Sequence, residues 1–206
     1  MSVFADRRDA GVRLAVALAE WAATPGGVVL GIPRGGVVVA AEVARALGLP
    51  LDIAVAAKVA APGNPEYAIG AVAPDGDVSV NPGAGYTLEE VREYSGEAFA
   101  KVTRYSALLR RGREPLDLGG RTAILVDDGL ATGLTAMAAA DWARRQHAAT
   151  VIVAVPVAPP QAVEAMRKHA DEVVALETPH WFSAVGNFYH DFTQTSDSEV
   201  IALLGA

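Results

Sequence analysis

Two adjacent carboxylates, followed by a small-residue loop carrying two hydroxyls, mark the stretch of this chain best suited to handling a sugar phosphate. Asp127 and Asp128 follow the apolar run Ala123-Ile124-Leu125-Val126. After them, Ala131-Thr132-Gly133-Leu134-Thr135 leads into the helix-forming Ala136-Met137-Ala138-Ala139-Ala140. Carboxylates accept hydrogen bonds from neighbouring ribose hydroxyls or orient a hydrated Mg2+. Free backbone N–H groups and hydroxyls gathered at a helix start favour a phosphate. The plain alternative is structural, with the two acids capping the helix and the threonines making an ordinary turn.

A second candidate anion site lies upstream. Pro33-Arg34-Gly35-Gly36 stands just before the helical pattern Val37–Leu47. Two glycines let backbone N–H groups approach an anion closely, and Arg34 adds a cation with bidentate reach. Lys58 follows the apolar run Leu51–Ala57 and is either a second cation for the anion or a solvated strand end. Beyond it, Pro62-Gly63-Asn64-Pro65 reads as a loop, with Glu66 beside it. Aromatic residues make up 6% of the chain, yet they gather in Pro179-His180-Trp181-Phe182 and Phe188-Tyr189-His190-Asp191-Phe192. Such a cluster suits a planar ligand, with Trp181 and Phe182 as the contacts, although a small satellite core would show the same composition.

These groups must be held by a regular scaffold. Apolar runs at Val28–Ile32, Leu51–Ala57, Ala123–Val126, Thr150–Val155 and Glu172–Leu176 predict five strands. Helical patterns at Arg8–Ala22, Val37–Leu47, Leu88–Arg111, Leu134–Arg145, Gln161–His169 and Asp197–Leu204 alternate with them. The alternation predicts an α/β fold with a doubly wound, mostly parallel five-stranded sheet and helices on both faces. Ligands of such sheets sit at the carboxyl ends of the strands. Asp75-Gly76 predicts a β-hairpin with strands near Ile69–Val72 and Val78–Val80. One domain over residues 1–206 follows, with a core of about 25–177, an aromatic hood of about 178–194 and a closing helix at 197–204. Arg8–Ala22 is read as packing without function. The charges of Leu88–Arg111 are read as a solvated face, from which Arg104 alone could reach a phosphate at the edge of the site or on a neighbouring subunit.

Composition narrows the setting. With 17 Lys and Arg against 24 Asp and Glu, the formal charge is −7, and no basic block exists. A general affinity for nucleic acid or an anionic membrane is therefore not expected. Zero cysteines exclude disulfides, thiol catalysis and thiolate metal sites. His169, His180 and His190 lack metal-ligand spacing, so Mg2+ arriving with a phosphate is the expected ion. The uncharged run Ala148–Val163 is shorter than a membrane span and holds Pro156, Pro159 and Pro160. Asp6 and Asp9 among the early arginines argue against a signal peptide, which gives a cytoplasmic protein as the expectation.

Ile124–Thr135 resembles the phosphoribosyl-pyrophosphate (PRPP) motif of type I phosphoribosyltransferases: an apolar strand, two acids, two variable positions, a small residue and Thr-Gly-x-Thr. The resemblance implies that Asp127 and Asp128 face the ribose 2′- and 3′-hydroxyls, and that Ala131, Thr132, Gly133, Leu134 and Thr135 cradle the 5-phosphate. It also implies that the Arg34-Gly35-Gly36 loop, with a non-proline cis peptide, binds the pyrophosphate, and that the connection around residues 59–68 is a mobile loop closing over PRPP. The stretch GIPRGG, Lys58 and APGNPEYAIGAV is similar to a branch of unsettled substrate, which sometimes occurs fused to other catalytic domains. Members of that branch often carry an arginine before the lysine and a glycine two residues after it, where this chain has Ala57 and Ala60.

The resulting expectation is Mg2+-dependent transfer of a 5-phosphoribosyl group from PRPP to a nitrogen of a heteroaromatic base, releasing pyrophosphate. Arg34, the Gly35 and Gly36 amides, Lys58 and Mg2+ would meet the leaving group. Relatives acting on 6-oxopurines commonly carry an acid just before Thr-Gly, where this chain has Ala131, so Glu66 is the candidate catalytic base. A PRPP- or nucleotide-sensing regulator on the same fold is the competing reading, and a hydrolase using Asp127 as nucleophile ranks below both. Dimerisation is common in similar proteins.

Overall fold

The computed structural model describes residues 3–205. Five parallel strands form its central sheet: β1 (Val28–Gly31), β2 (Leu51–Ile53), then, after the insertion described below, β6 (Thr122–Val126), β7 (Thr150–Val157) and β8 (Glu172–Glu177). Their spatial order is β2-β1-β6-β7-β8. Direction of winding reverses between β1 and β6, which is where a doubly wound sheet opens its ligand crevice. Register makes the crevice specific, because Gly31 pairs with Val126 and the Ile32 N–H donates to the Val126 carbonyl at 2.8 Å. The two loops expected to bind anions therefore leave the sheet side by side.

Strands this apolar need cover on both faces. Val28, Leu30, Ala123, Leu125, Val151 and Val153 point into one cluster with α5 (Leu134–Arg145) and α6 (Pro160–Met166). The alternate residues Val29, Ile124, Val126, Ile152 and Ala154 point into the other, against α1 (Arg7–Ala17) and α2 (Gly35–Leu47). The expected doubly wound sheet is thus present.

Between β2 and β6 the chain inserts a second sheet of three antiparallel strands, β3 (Ala57–Ala61), β4 (Asn64–Val72) and β5 (Val78–Val80), followed by α3 (Leu88–Tyr94) and α4 (Gly96–Arg110). The β4–β5 hairpin turns at Asp75-Gly76 as expected. Several boundaries differ from the sequence reading. The apolar run after Leu51 is not one strand, since it leaves the parallel sheet at Ile53 and pairs afresh from Ala57 with β4. Leu88–Arg111 is two helices, because the Ser95 hydroxyl donates to the Arg92 carbonyl at 2.8 Å and Gly96 follows. The first helix ends at Ala17, where buried Leu18 turns the chain into a short 3-10 segment at Ala19–Trp21.

Beyond β8, a 3-10 turn at Val185–Phe188 and the strand-like bridge Phe4–Tyr189 form the aromatic hood, and α7 (Asp197–Leu204) closes the chain. Phe4 is as much a part of the hood as Tyr189, since their rings lie 5.4 Å apart and the His190 N–H donates to the Phe4 carbonyl. Among the described residues no helix is long and apolar enough to cross a membrane.

Candidate functional site

Asp127 and Asp128 sit immediately past β6, in the crevice. The Asp128 N–H donates to Asp127 Oδ1 at 2.8 Å, and the Tyr189 hydroxyl donates to the Asp128 carbonyl at 2.6 Å. Burial and the negative charge of Asp128 push the Asp127 carboxyl well above the usual carboxylate range. Burial and the same charge push the Tyr189 phenol up, so it stays a donor. The hood closes directly over this turn, for a Cβ on Gly129 would come within 2.6 Å of Val185 Cγ1.

After the acids, the loop turns through Gly133, whose φ of 76° is left-handed, and enters α5 with no side-chain cap. Among the described residues, the N–H groups of Ala131, Thr132, Gly133, Leu134 and Thr135 meet no protein acceptor, and neither threonine hydroxyl is engaged. Five open N–H groups at the start of a twelve-residue helix form a concave anion cradle. Leu134 contributes only its backbone, because its side chain is buried in the core.

The opposing loop is pressed against the acids. Pro33-Arg34 is a cis peptide bond, of the kind expected for this loop. Gly35 and Gly36 lie within the first turn of α2 rather than ahead of it. A Cβ on Gly36 would come within 2.8 Å of Asp127 Oδ1 and the Val126 carbonyl, and one on Gly35 would collide with Asp128 Oδ2. Only glycine permits this approach.

A cleft of about 740 Å3 extends from that loop and is lined by Arg34, Lys58, Lys101, Tyr105, Thr135 and Asp197, among others. It brings together three residues expected from sequence, Arg34, Lys58 and Thr135. Lys58 is the second residue of β3, not the end of the preceding strand, and it is exposed. Arg34 lies 3.6 Å from Asp197, which accepts a 2.5 Å hydrogen bond from Tyr105. Burial and that hydrogen bond raise the Tyr105 pKa.

Other expected residues lie outside the cleft. Glu66 is exposed on β4. The predicted loop around Pro62-Gly63 is a tight hairpin turn, and the 650 Å3 hollow beneath it is lined by Lys58, Asn64, Pro65, Glu97 and Lys101. Phe182 stacks on Phe188 with ring centroids 5.6 Å apart, so it is tied into the hood. Trp181 is 95% exposed and free to meet a ligand. Arg104 is exposed on α4 and is not among the residues lining the cleft.

Sequence reasoning missed two cations. Lys101 hid in a helix read as a solvated face, although Ala98, Lys101, Val102 and Tyr105 form a helically spaced stripe with one lysine in it. Arg7 carried no local signal. Its Nε donates to Asp128 Oδ2 at 2.7 Å, across 121 residues of sequence.

Donor chemistry allows a divalent cation only in company. Among the described residues no cluster of three or more His, Cys, Asp and Glu side chains could hold a metal. Asp127 Oδ1 and Asp128 Oδ2 already accept from protein N–H groups, which leaves one free oxygen on each acid. Two such oxygens fit Mg2+ that keeps its waters and arrives on phosphates.

Residues 15–193 match the family described as phosphoribosyl transferase domain. A Mycobacterium tuberculosis (strain H37Rv) protein named "Putative phosphoribosyl transferase" is 45% identical over 208 residues, which cover 99% of this chain and 47% of that protein. The chain thus spans about half the length of the curated relatives it matches. The crystal structure of a Thermus thermophilus protein is 45% identical, with a TM-score of 0.84 over 99% of this chain and 98% of that one. A Neisseria gonorrhoeae hypothetical protein with bound ppGpp shares 14% identity at a TM-score of 0.50, over 97% of this chain and 91% of that one, a likeness of fold alone. The acid pair, the open helix start and the glycine loop converge on one crevice within the matched span, and the chain belongs to the phosphoribosyl transferase domain family.

Proposed function

We propose that the protein transfers a 5-phosphoribosyl group from PRPP to a nitrogen of a heteroaromatic base, with release of pyrophosphate. One observation carries this reading: the two carboxylates lie between the open N–H groups that start α5 and the Gly35-Gly36 loop, whose Arg34 lines a cleft together with Lys58 and Lys101. Acceptors set between two groups of anion-binding donors suit a ribose with a phosphate at one end and a pyrophosphate at the other.

In this reading the N–H groups of Ala131–Thr135 and the hydroxyls of Thr132 and Thr135 hold the 5-phosphate. Asp127 and Asp128 accept from the ribose hydroxyls. Bond breaking builds positive charge on the ribose and negative charge on pyrophosphate, which Arg34, Lys58, Lys101 and the N–H groups of Gly35 and Gly36 stabilise. Asp127 and Asp128 would also hold, directly or through water, the Mg2+ that neutralises part of that charge. The hood, with Trp181 and Phe182, covers the acceptor base and excludes the water that would hydrolyse PRPP.

A sensor that binds PRPP or a nucleotide without turnover is the second reading. It is favoured by the placement of Glu66 outside the cleft, and by Asp197 inside it being already engaged by Tyr105 and close to Arg34. Calorimetric titration with PRPP and Mg2+, repeated on Asp128→Asn, tests the shared site: the variant is expected to bind at least tenfold more weakly. A panel of free bases screened for pyrophosphate release then separates enzyme from sensor. No binding to the unaltered protein at millimolar PRPP would sink the transferase reading and leave only a sensor of nucleotides.

A further inference from the structure

The first residue of α1 reaches into the site that the rest of the helix only supports. Arg7 Nε donates to Asp128 Oδ2 at 2.7 Å, and its NH1 donates to the Thr193 carbonyl at 2.8 Å. The guanidinium carbon lies 3.8 Å from the centroid of Phe192, so the planar group is stacked as well as bonded. Side-chain exposure of 11% for Arg7 and 17% for Asp128 sets this pair apart from the surface ion pairs of the chain. Gly35 packs against the same two side chains. Around Arg7 the backbone is fixed by the Asp6 cap of α1 and by the Phe4 carbonyl, which accepts from the His190 N–H.

We infer that Arg7 is a positioning residue for the sugar-phosphate site, acting through Asp128. Two neighbouring carboxylates repel each other, and a guanidinium on the outer oxygen of Asp128 offsets that repulsion. The same contact selects one orientation of the carboxylate. Oδ2 is held by Arg7, so Oδ1 is left to accept from a ligand. Because two further contacts run to Thr193 and Phe192, the hood and the acid are set by a single side chain. A lysine could replace the charge but not the fork that makes both hydrogen bonds while stacked.

This inference rests on the proposed PRPP reading, and its test separates the two. Binding of PRPP with Mg2+ would be measured by calorimetry, at up to millimolar ligand, for the unaltered protein, Arg7→Gln, Arg7→Lys, Asp128→Asn and the Arg7→Gln/Asp128→Asn double variant. Thermal melts of each would be run in parallel. Arg7→Gln is expected to weaken binding about tenfold or more, as loss of a partner that orients a ligating group does. Arg7→Lys should recover part of that loss. In the Asp128→Asn background the Arg7→Gln change should cost less than about twofold, because the group it acts through has gone. An Arg7 that merely holds the hood would show the same loss in both backgrounds, with Phe192→Ala reproducing it. Equal losses in the two backgrounds, or unchanged affinity in Arg7→Gln, would overturn the inference while leaving the PRPP reading intact. Should Arg7→Gln fail to fold, Arg7→Lys carries the same two-background comparison. Failure of the unaltered protein to bind PRPP is read before any variant and overturns the reading together with the role built on it.

Discussion

The folded surroundings of Asp127 resist its ionisation. Its carboxyl is raised well above the ordinary range by burial and by the Asp128 charge, so the folded chain binds a proton there more readily than the unfolded chain does. Stability must therefore fall as pH rises from the unfolded Asp value, about 3.9, through the raised folded value. Asp127→Asn keeps an oxygen to accept the Asp128 N–H but removes the titration. In the metal-free protein, the variant is expected to melt at a higher temperature than the unaltered chain at pH 8 and to converge with it near pH 4, as thermal melts across that range would show. A difference that grows towards low pH would contradict the assignment. The acid pair and the Thr132–Thr135 loop were legible in the sequence because their chemistry is contiguous. Arg7 was not, since its meaning depends on Asp128, Phe192 and Thr193, all distant in the chain.

At the scale of elements, the inserted antiparallel sheet and α4 build one wall of the cleft. Lys101 projects from the stripe formed with Ala98, Val102 and Tyr105. If that wall meets the pyrophosphate, Lys101→Ala should weaken inorganic pyrophosphate binding about fivefold at low salt, with the difference shrinking as ionic strength rises, since an exposed charge contributes on the order of 1 kcal/mol and is screened. Calorimetry at two salt concentrations checks this, and an unchanged affinity at low salt would remove α4 from the site. These elements were the least legible. Leu51–Ala61 contains no glycine or proline, so nothing in its pattern announces that the backbone leaves one sheet at Ile53 and joins another at Ala57. The break at Ser95 depends on one hydroxyl finding the Arg92 carbonyl, which periodicity does not report.

For the molecule as a whole, the sheet centre should govern stability. Leu125 pairs with Leu30 and Val153, is fully buried, and faces the α5 side. Leu125→Ala is expected to cost about 3 kcal/mol, or roughly 6–12 °C in Tm, measurable by denaturant and thermal unfolding. A loss below about 1 kcal/mol would mean that the two helical layers relax into the space. This level was the most legible, because a strand covered on both faces must be apolar, and the runs Val28–Ile32, Ala123–Val126 and Val151–Val155 satisfied that condition. The winding rule placed a ligand at the carboxyl ends of the strands, whereas the adjacency of Gly31 and Val126 depends on a strand order and register that the sequence pattern does not report.

The β1–β6 pairing also sets when the site can exist during synthesis. Val28 must find Ala123, and every residue between them, including the entire antiparallel insertion, has been made before that contact can form. In a nascent chain short of Thr122, β1 has only β2 beside it, and its other edge is bare and apolar. Both halves of the crevice are joined by the same event that covers this edge. Ribosome-bound chains should therefore gain protection from aggregation and the two-loop crevice at one length, as β6 clears the exit tunnel.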